Sequence, residues 1–294
     1  MPAPFTRIGL LGRPQQDGLA PVLTELLALL AERSCDVLME DRLDEVLPGH
    51  GQALAPRESI GEQVDMAIVV GGDGSLLGAA RTLAKYGTPV LGVNRGRLGF
   101  LTDITPEQIS SQVPAVLDGH YDAEQRFLLD VYLERGGDVI GRADALNDVV
   151  VNSGSTAQMI EIELYIDGDF VYRQRGDGLI VASPTGSTAY SLSGGGPIMH
   201  PALDAVALVP MYPHALSSRP IVVDGNSEIR IDILGRNRIH PPVTCDGQVH
   251  LTARPADSVM VRKKPHKLTL LHPVGHSFYA SCRDKLRWAS ALVN

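Results

Sequence analysis

Two short stretches of the chain carry side chains whose types and spacing could do chemistry. In the first, Gly71-Gly72-Asp73-Gly74-Ser75, a carboxylate has glycines on both sides. Because glycines add no bulk, a phosphate and a hydroxyl could reach this acid together, as a general base or a metal-organising acid requires. An Asp that only caps a helix is the alternative. The stretch has neither the Lys-Ser/Thr ending of a Walker A loop nor the spacing of G-x-G-x-x-G.

The second stretch is 176–197, GDGLIVASPTGSTAYSLSGGGP, which mixes glycines with Ser and Thr hydroxyls. Leu179-Ile180-Val181 predicts a short strand that leads into this loop. Glycines let backbone N–H groups approach anionic or planar ligands, and hydroxyls supply donors and acceptors for a ribose or a base edge. We therefore expect the loop to face a ligand.

The elements around the first stretch are typical of an α/β domain. Met66–Val70 is a run of apolar residues, which predicts a strand buried on both faces, and 74–81 has helical spacing. Asp73 is thus expected at the carboxyl end of a strand near a helix N-terminus, where open α/β sheets bind ligands. The alternation continues from Arg7 to about Asp122 and predicts a doubly wound parallel sheet, with strands at 8–11, 37–39, 66–70 and 89–93 and helices at 19–33 and 106–117.

From about Gln125 onward, β patterns replace the helical period. Ile160–Ile166 alternates apolar and polar residues, 167–169 predicts a turn, and 170–173 predicts the returning arm of a hairpin. Further strands are predicted at 221–223, 229–234, 243–245 and 258–261, and Lys263-Lys264 is expected in a solvated turn. The pattern divides the chain into an α/β domain over 1–125, a β-rich, sandwich-like domain over 126–270, and a tail over 271–294 that returns to the first domain.

Composition excludes several classes of protein. The 294 residues, 44% of them hydrophobic, suffice for two domains with packed cores. Apolar runs stay well below the ~20 residues of a membrane span, and the N-terminal apolar stretch is short for a signal peptide. Three scattered cysteines favour a cytoplasmic protein without disulfides, and a net charge of −8 argues against a nucleic-acid partner. The histidines are expected to be scattered, so no zinc site or other metal-ligating residue is predicted.

These stretches, taken with others along the chain, resemble the NAD kinase family in its bacterial form. The likeness includes Asn147-Asp148, the block from Asp177-Gly178 to Gly195-Gly196-Pro197, and shorter matches at 91–101, 213–220 and 278–288, and so covers nearly the whole chain. The GGDG turn alone is shared with diacylglycerol, sphingosine and phosphofructokinase-type kinases, whereas the long block is specific. Gly194 departs from the family pattern, which more often has Ala.

The resemblance implies a role for each matching residue. Asp73 matches the acid at the acceptor ribose, as general base for the 2′-hydroxyl or as organiser of a Mg²⁺–phosphate assembly. Asn147 and Asp148 would read the adenine edge and hold ribose hydroxyls, unless they form only an Asx turn. Further NAD-binding residues would be Gly74, Phe100, Arg175, Asp177, Thr185, Thr188, Ala189 and Tyr190, and a phosphate or ATP site would involve Gly71, Gly72, Ser75, Asp246 and Gln248. A core position for Phe100 and an exposed hairpin arm for Arg175 are the alternatives.

The resemblance also implies substrates, a metal and an assembly. An ATP-dependent NAD kinase would take NAD and ATP, with Mg²⁺ that arrives with ATP, and would form a homo-oligomer, a dimer or a tetramer, through the β-rich domain. The Ile160–Ile166 strand was expected to offer an edge to that interface. A lipid kinase would need an apolar acceptor cleft in place of the hydroxyl-rich loop. A non-catalytic dinucleotide sensor would not need Asp73.

Overall fold

The computed structural model describes residues 5–14, 18–96, 99–154 and 158–288. The chain forms two compact units. Unit 1 comprises Met1–Gln125 and His266–Asn294, and unit 2 comprises Arg126–Pro265. No helix in the described part of the chain is long and apolar enough to cross a membrane.

Unit 1 contains a parallel sheet with helices. Its strands are β1 (Arg7–Gly12), β2 (Asp36–Glu40), β3 (Ala53–Ala55), β4 (Met66–Val70) and β5 (Val90–Val93), and its helices are α1 (Leu19–Glu32), α2 (Arg57–Gln63), α3 (Asp73–Leu83), α4 (Ile109–Leu117) and α6 (Phe278–Leu286). The strand order is β3-β2-β1-β4-β5, and the end of strand β17 (Ser258–Pro273) pairs in parallel with β5 through Leu270 and Leu271. This order is that of a doubly wound sheet, as predicted.

The helices of unit 1 cover both faces of the sheet. Ile8 and Leu10 of β1 share one core cluster with Leu23 of α1 and Val113 of α4. Gly9, between them, faces Ile60 of α2, because successive residues of a strand point to opposite faces. Strand β4 is therefore covered on both sides, and all of its residues are buried, which explains its unbroken apolar sequence.

Unit 2 is built from two antiparallel sheets. Its strands are β6 (Tyr121–Arg135), which begins in unit 1, β7 (Asp138–Ala145), β8 (Asp148–Asn152), β9 (Ile160–Ile166), β10 (Asp169–Gly176), β11 (Gly178–Ala182), β12 (Ala205–Met211), β13 (Ile221–Asp224), β14 (Ile229–Ile233), β15 (Pro242–Cys245), β16 (Val249–Thr252) and most of β17, with the short helix α5 (Tyr190–Ser193). One sheet has the order β10-β9-β14-β17, with β6 paired to β17 and β7, and the other has the order β13-β12-β11-β8-β15-β16.

The two sheets of unit 2 enclose a common core. Val131, Leu164 and Ile231 of the first sheet share one cluster of buried side chains with Val151 and Leu179 of the second. This arrangement confirms the predicted sandwich-like domain. The outer face of the second sheet is also covered, because Val150, Ile180 and Val209 pack with Met199.

Two details of the β-rich region were predicted wrongly. Strand β9 lies between β10 and β14, so the sheet edge belongs to β10. Lys263 and Lys264 lie inside the long strand β17, where their ammonium groups pair with Asp204 and Asp144. These ion pairs let the strand run on past 258–261, where the charged residues had indicated a turn.

Candidate active site

Asp73 lies where β4 ends and α3 begins. Gly71 has φ 148° and its N–H donates to Val93 O, so the turn stays close to β5. Asp73 is the first residue of α3, after the N-cap Gly72. The predicted position at a strand's carboxyl end and a helix N-terminus is therefore confirmed, and it gives the carboxylate the favourable field of a helix start.

The Asp73 carboxylate is held by a second segment of unit 1. Oδ2 accepts a hydrogen bond from Phe100 N at 2.9 Å, and Oδ1 accepts from Leu101 N at 3.0 Å and from the Thr102 hydroxyl at 3.3 Å. All three donors lie outside helix α3, and the N-cap position of α3 is occupied by Gly72. The carboxylate is thus oriented by donors from another segment of the chain, which favours the active-site interpretation over that of a simple helix cap.

Gly99 permits this close approach. A Cβ atom at Gly99 would lie 1.9 Å from Asp73 Oδ1, which no side chain could tolerate. Phe100 is half-buried. Its burial therefore does not decide between a core residue and a wall of the acceptor pocket.

The polar side chains that support this segment were not predicted from the sequence. Thr102 is fully buried, and its hydroxyl accepts a hydrogen bond from Asn94 Nδ2 at 2.9 Å. The Asn94 Oδ1 atom in turn accepts from the N–H groups of Arg95 and Gly96. Asn94 directly follows β5, so its position at a strand's carboxyl end was the signal that could have found it. Arg13, after β1, was also missed; it donates to Gly74 O at 2.9 Å.

In unit 2, a cavity of about 280 Å³ gathers residues from separate parts of the sequence. Its lining residues are Asn147, Asp148, Val150, Asn152, Ala189, Tyr190, Thr244, Asp246 and Gly247. Five of these, Asn147, Asp148, Ala189, Tyr190 and Asp246, were predicted as binding residues from the sequence. The three places in the sequence that supply them come together because β8, β11 and β15 are neighbours in one sheet.

Two carboxylates of this cavity lie close enough to interact. Burial raises the pKa of Asp148, the charge of Asp246 raises it further, and a hydrogen bond from the Tyr190 backbone N–H opposes both, so that the pKa reaches about 7. Asp246 itself has φ 53° and accepts backbone N–H groups from Leu146 at 3.1 Å and Asn147 at 2.7 Å. Asp246 thus fixes the turn that carries Asn147 and Asp148, while its charge perturbs Asp148.

Asn147 presents a polar atom that the folded chain does not use. Its Oδ1 atom is buried, and no described residue donates a hydrogen bond to it. An Asx turn would require that oxygen to accept a backbone N–H, so this alternative is wrong for Asn147. A buried acceptor without a donor costs free energy unless a ligand supplies one.

Two hydroxyls of the loop at 176–197 stabilise the fold, whereas the sequence predicted that the loop hydroxyls face a ligand. Ser183 and Ser187 are fully buried. Ser183 Oγ donates to Leu146 O, and Ser187 Oγ donates to Pro184 O at 2.7 Å and accepts from Met199 N at 2.9 Å. A Cβ at Gly186 would lie 2.1 Å from Asn147 O, so glycine is required where this loop touches the Asn147 turn. These two hydroxyls serve the fold, whereas Ala189 and Tyr190 of the same loop line the cavity.

The remaining predicted residues do not line that cavity. Arg175 is exposed on β10 and, with Arg236 and Arg238, borders a separate cavity of about 430 Å³.

Thr185 contacts Arg126 at 3.4 Å, and the Thr188 hydroxyl donates to Thr185 O at 3.4 Å. Asp177 lies between β10 and β11, where its backbone bonds Met211 and Ser153. Gln248 follows Asp246 in a turn. Gly194 borders a third cavity, where a Cβ would lie 3.0 Å from Val209, so the family's Ala would need a small shift.

One histidine cluster in unit 1 was not predicted. Asp103, His272 and His276 have ligand atoms within 4.8 Å of one another. The two histidines are four residues apart in the sequence. The expectation that the histidines are scattered did not take this spacing into account. Their rings stack, with centroids 4.0 Å apart, and both Nδ1 atoms face a single oxygen, Asp103 Oδ2. Both histidines are therefore placed to donate to one carboxylate oxygen.

Comparisons with known proteins decide the family. A family model described as "ATP-NAD kinase N-terminal domain" matches residues 8–121, and one described as "ATP-NAD kinase C-terminal domain" matches residues 146–272. A protein named NAD kinase from Pseudomonas putida (strain W619) is 57% identical over 288 residues, which cover 98% of this chain and 97% of that protein. The chain belongs to the NAD kinase family.

A second relative gives the same result. An NAD kinase of Pseudomonas paraeruginosa is 56% identical over 289 residues, 98% of each chain. The resemblance stated from the sequence is thereby confirmed, and it places Asp73 and the unit 2 cavity inside the matched regions of an NAD kinase family member.

Two solved structures support the fold. The crystal structure of yeast NADH kinase complexed with NADH has a TM-score of 0.89 at 24% identity and covers 100% of this chain and 91% of that one. An NAD kinase from Archaeoglobus fulgidus in complex with ATP has a TM-score of 0.73 at 24% identity, over 96% of this chain and 99% of that one.

Proposed function

We propose that this NAD kinase family member transfers the γ-phosphoryl group of ATP to the 2′-hydroxyl of the adenosine ribose of NAD, which gives NADP and ADP. The observation that carries the proposal is the Asp73 carboxylate, which is flanked by glycines and oriented by Phe100, Leu101 and Thr102. A carboxylate held in one orientation at a helix start suits a reaction that depends on alignment and charge.

In the reaction, the ribose oxygen would bond to the γ-phosphorus as the bond between that phosphorus and the β–γ bridging oxygen of ATP breaks. Asp73 would accept the hydroxyl proton, or would instead hold the phosphate assembly in place; both roles use an ionised carboxylate. Mg²⁺ arriving with ATP would neutralise phosphate charge. One carboxylate plus phosphate oxygens fits an ion that keeps several waters and does not need a protein cage.

The acceptor nucleoside would bind in the cavity of unit 2. Asn147 Oδ1, buried and without a donor in the described chain, suits a nucleobase amino group or a hydroxyl. Asp148 would bind ribose hydroxyls, and the Tyr190 ring, about half exposed at the rim, offers an apolar face. These groups are polar, which favours a dinucleotide over a lipid acceptor.

The test is a direct assay with the pure protein, NAD⁺ and Mg-ATP, which should yield NADP⁺. Asp73→Asn should lower kcat by at least ~10²-fold with a much smaller effect on the Kd for NAD⁺, because the interaction is made mainly in the transition state. Asp36→Asn, on the exposed end of β2, is the matched control and should leave kcat unchanged.

Each rival function predicts a different result in this assay. NAD⁺ binding without turnover in the native protein would favour the dinucleotide sensor, and phosphorylation of a lipid alcohol but not of NAD⁺ would favour the lipid kinase. Near-native turnover by a folded Asp73→Asn variant would remove Asp73 from the mechanism.

The same proposal includes a cytoplasmic homo-oligomer, a dimer or a tetramer. The cytoplasmic location is proposed because the sequence has only three scattered cysteines. Strand β10 ends its sheet and carries Phe170 and Val171, which are 57% and 37% exposed. A strand with one unpaired edge and exposed apolar side chains needs a partner or a cover on that edge. Light scattering at micromolar concentration should give a multiple of 31.5 kDa, and a fully active monomer would contradict the oligomer alone.

A further inference from the structure

Next to the segment that holds Asp73, unit 1 contains a series of polar contacts around the buried His272 that the proposed mechanism does not use. Thr102 donates to Asp73, and the next residue, Asp103, bonds His272 at the end of β17. The other ring nitrogen of His272, Nε2, lies 3.6 Å from Glu124 Oε2. His272 is buried, with 1% of its side chain exposed, and sits between two carboxylates.

We propose that His272 is a positioning residue for the phosphoryl transfer: held between Asp103 and Glu124, it fixes the segment from Gly99 to Asp103 so that its donors stay on the Asp73 carboxylate. This inference rests on the proposed role of Asp73. His272 does not touch the reacting groups and acts through Asp103.

The geometry gives Asp103 a place at a junction. Immediately after it, Ile104 is tied to β5, because Asn94 N donates to Ile104 O at 2.7 Å and Ile104 N donates to Gly92 O at 3.4 Å. Immediately before it, Thr102 is bonded to Asp73 and Asn94. The backbone ties of Ile104 fix one end of the segment. Besides the bond from Asn94 to Thr102, the side chain of Asp103 is a second contact that sets how the residues from Gly99 to Thr102 approach Asp73.

The groups that face His272 are Asp103, Glu124 and the stacked ring of His276. Burial alone would lower the pKa of His272, but the hydrogen bond to Asp103 and the charge of Glu124 outweigh burial and raise the pKa to about 9. His272 is therefore an imidazolium at neutral pH, with Nδ1–H donating to Asp103 Oδ2. A charged donor between two carboxylates makes a stronger and more directional tie than a neutral one.

The experiment replaces His272 by Gln, which keeps polarity and removes the charge. Asp122→Asn is the matched control, because Asp122 Oδ2 accepts a hydrogen bond from Gly275 N and so ties down the same turn without touching Asp103. Two readouts are measured for both variants: steady-state kinetics with NAD⁺ and Mg-ATP, and hydrogen exchange of the Phe100 and Leu101 amides. Circular dichroism and thermal unfolding identify the folded samples.

We expect His272→Gln to lower kcat on the order of 10- to 100-fold, as for a misplaced catalytic group, with the KM for NAD⁺ within about 2-fold. The Phe100 and Leu101 amides should exchange faster than in the native protein, and Asp122→Asn should change neither readout. Asp103→Asn, which also alters the contact to His276, should have at least the same effect. The double variant should lose no more than Asp103→Asn alone, because His272 acts through Asp103.

Several outcomes would overturn the inference. One is native kcat in folded His272→Gln, and another is a loss of kcat with unchanged exchange at Phe100 and Leu101. Equal losses in Asp122→Asn would reduce His272 to general docking of the C-terminal segment. If the native protein did not phosphorylate NAD⁺, the proposed function would fail, yet the exchange rates would still report whether His272 holds the Asp73 segment. If His272→Gln did not fold, Asp103→Asn would carry both readouts.

Discussion

Two carboxylate clusters, one in each unit, differ in the charge beside them. In unit 2, Asp148 faces a second acid, Asp246, and its pKa is raised to about 7. In unit 1, burial also works to raise the pKa of Asp103, but hydrogen bonds to His272 and His276 outweigh it and lower the pKa to about 2. In the first cluster, the charge that acts on Asp148 is that of another acid, so a ligand with hydrogen-bond donors can stabilise the two acids. In the second cluster, histidines of the protein already stabilise the charge of Asp103.

The comparison explains why the two clusters were not equally visible in the sequence. Asn147-Asp148 stands out because an amide and a carboxylate open an apolar strand, where the fold has no use for them. His272 follows an apolar strand in a similar way, but its partners Asp103 and Glu124 are far away in the chain, and an isolated histidine does not indicate them.

The largest effect is expected when the carboxylate that pairs with His272 is removed. Asp103→Asn should lower the free energy of unfolding by about 3 kcal/mol at pH 6, because it leaves a buried imidazolium short of a counter-charge. A His whose folded pKa is raised from 6.5 to about 9 contributes stability that is complete below pH 6.5 and lost as the pH rises through 9. Urea unfolding should therefore show a smaller penalty at pH 9.5 than at pH 6.

The control for this prediction is Asp118→Asn. Asp118 pairs with Arg33 at the surface, with 51% and 38% of the side chains exposed, and exposed pairs contribute only ~0 to 1 kcal/mol. Equal penalties for Asp103→Asn and Asp118→Asn would contradict the distinction between a buried and an exposed pair.

The second effect has the opposite sign. Asp148→Asn should raise the free energy of unfolding by about 2 kcal/mol at pH 8, because it removes a buried charge beside Asp246. An acid whose folded pKa is raised binds its proton more tightly in the folded state, so its native-state penalty grows as the pH rises from about 4 to about 7. Thermal unfolding should show the gain at pH 8 and almost none at pH 4, and a gain that does not depend on pH would contradict the assignment.

The third effect concerns ligand binding. Asn147→Ala should weaken NAD⁺ binding by about 1 to 2 kcal/mol, since the ligand loses its partner at Oδ1, while stability changes little because that oxygen has no donor in the described chain. Isothermal titration calorimetry measures the affinity. Asn226→Ala, in an exposed turn where the side chain bonds Asp224, serves as the control that should leave NAD⁺ affinity unchanged. A large loss of stability with unaltered affinity would return Asn147 to a structural role.

The smallest effect tests whether the two acids of unit 2 feel one another. Asp246→Asn should lower the pKa of Asp148 by about one unit, equivalent to ~1.4 kcal/mol, because the like charge is gone. The amide oxygen can still accept the Asn147 and Asp148 N–H groups that Oδ1 accepts, whereas the Leu146 N–H loses its acceptor Oδ2. Carboxyl ¹³C NMR titration follows Asp148 directly. An unchanged Asp148 titration would assign its raised pKa to burial alone.

Local patterns were enough to predict most of the fold. The apolar run of β4 predicted its burial, and the hairpin of β9 and β10 was confirmed with its turn at Asp167 and Gly168, where both φ angles are positive. The length of β17 was missed, because Lys263 and Lys264 interrupt its apolar pattern and the carboxylates that neutralise them lie elsewhere in the chain.

Only part of the site could be predicted, because the sequence shows local motifs but not contacts between distant segments. Asp73, Asp148 and Tyr190 lie in motifs that can be read locally, and the structure gives them the positions described above. The buried hydroxyls of Ser183 and Ser187 had the same composition as ligand contacts, and only the packing of Met199 and Leu146 separates the two cases. Thr102 and Asn94 were missed because their roles depend on the approach of one loop to another.

The interrupted sequence of unit 1 has a consequence for synthesis on the ribosome. Unit 2 is one continuous stretch, whereas unit 1 needs residues 266–294 to gain the strand that pairs with β5 and the histidine that holds Asp103. During translation from the N-terminus, the edge of β5 stays without its partner strand until residues 266–294 have been made. The sandwich of unit 2, although it is made later than the first part of unit 1, can complete its folding before unit 1 does. The order of maturation is therefore expected to run against the order of the chain.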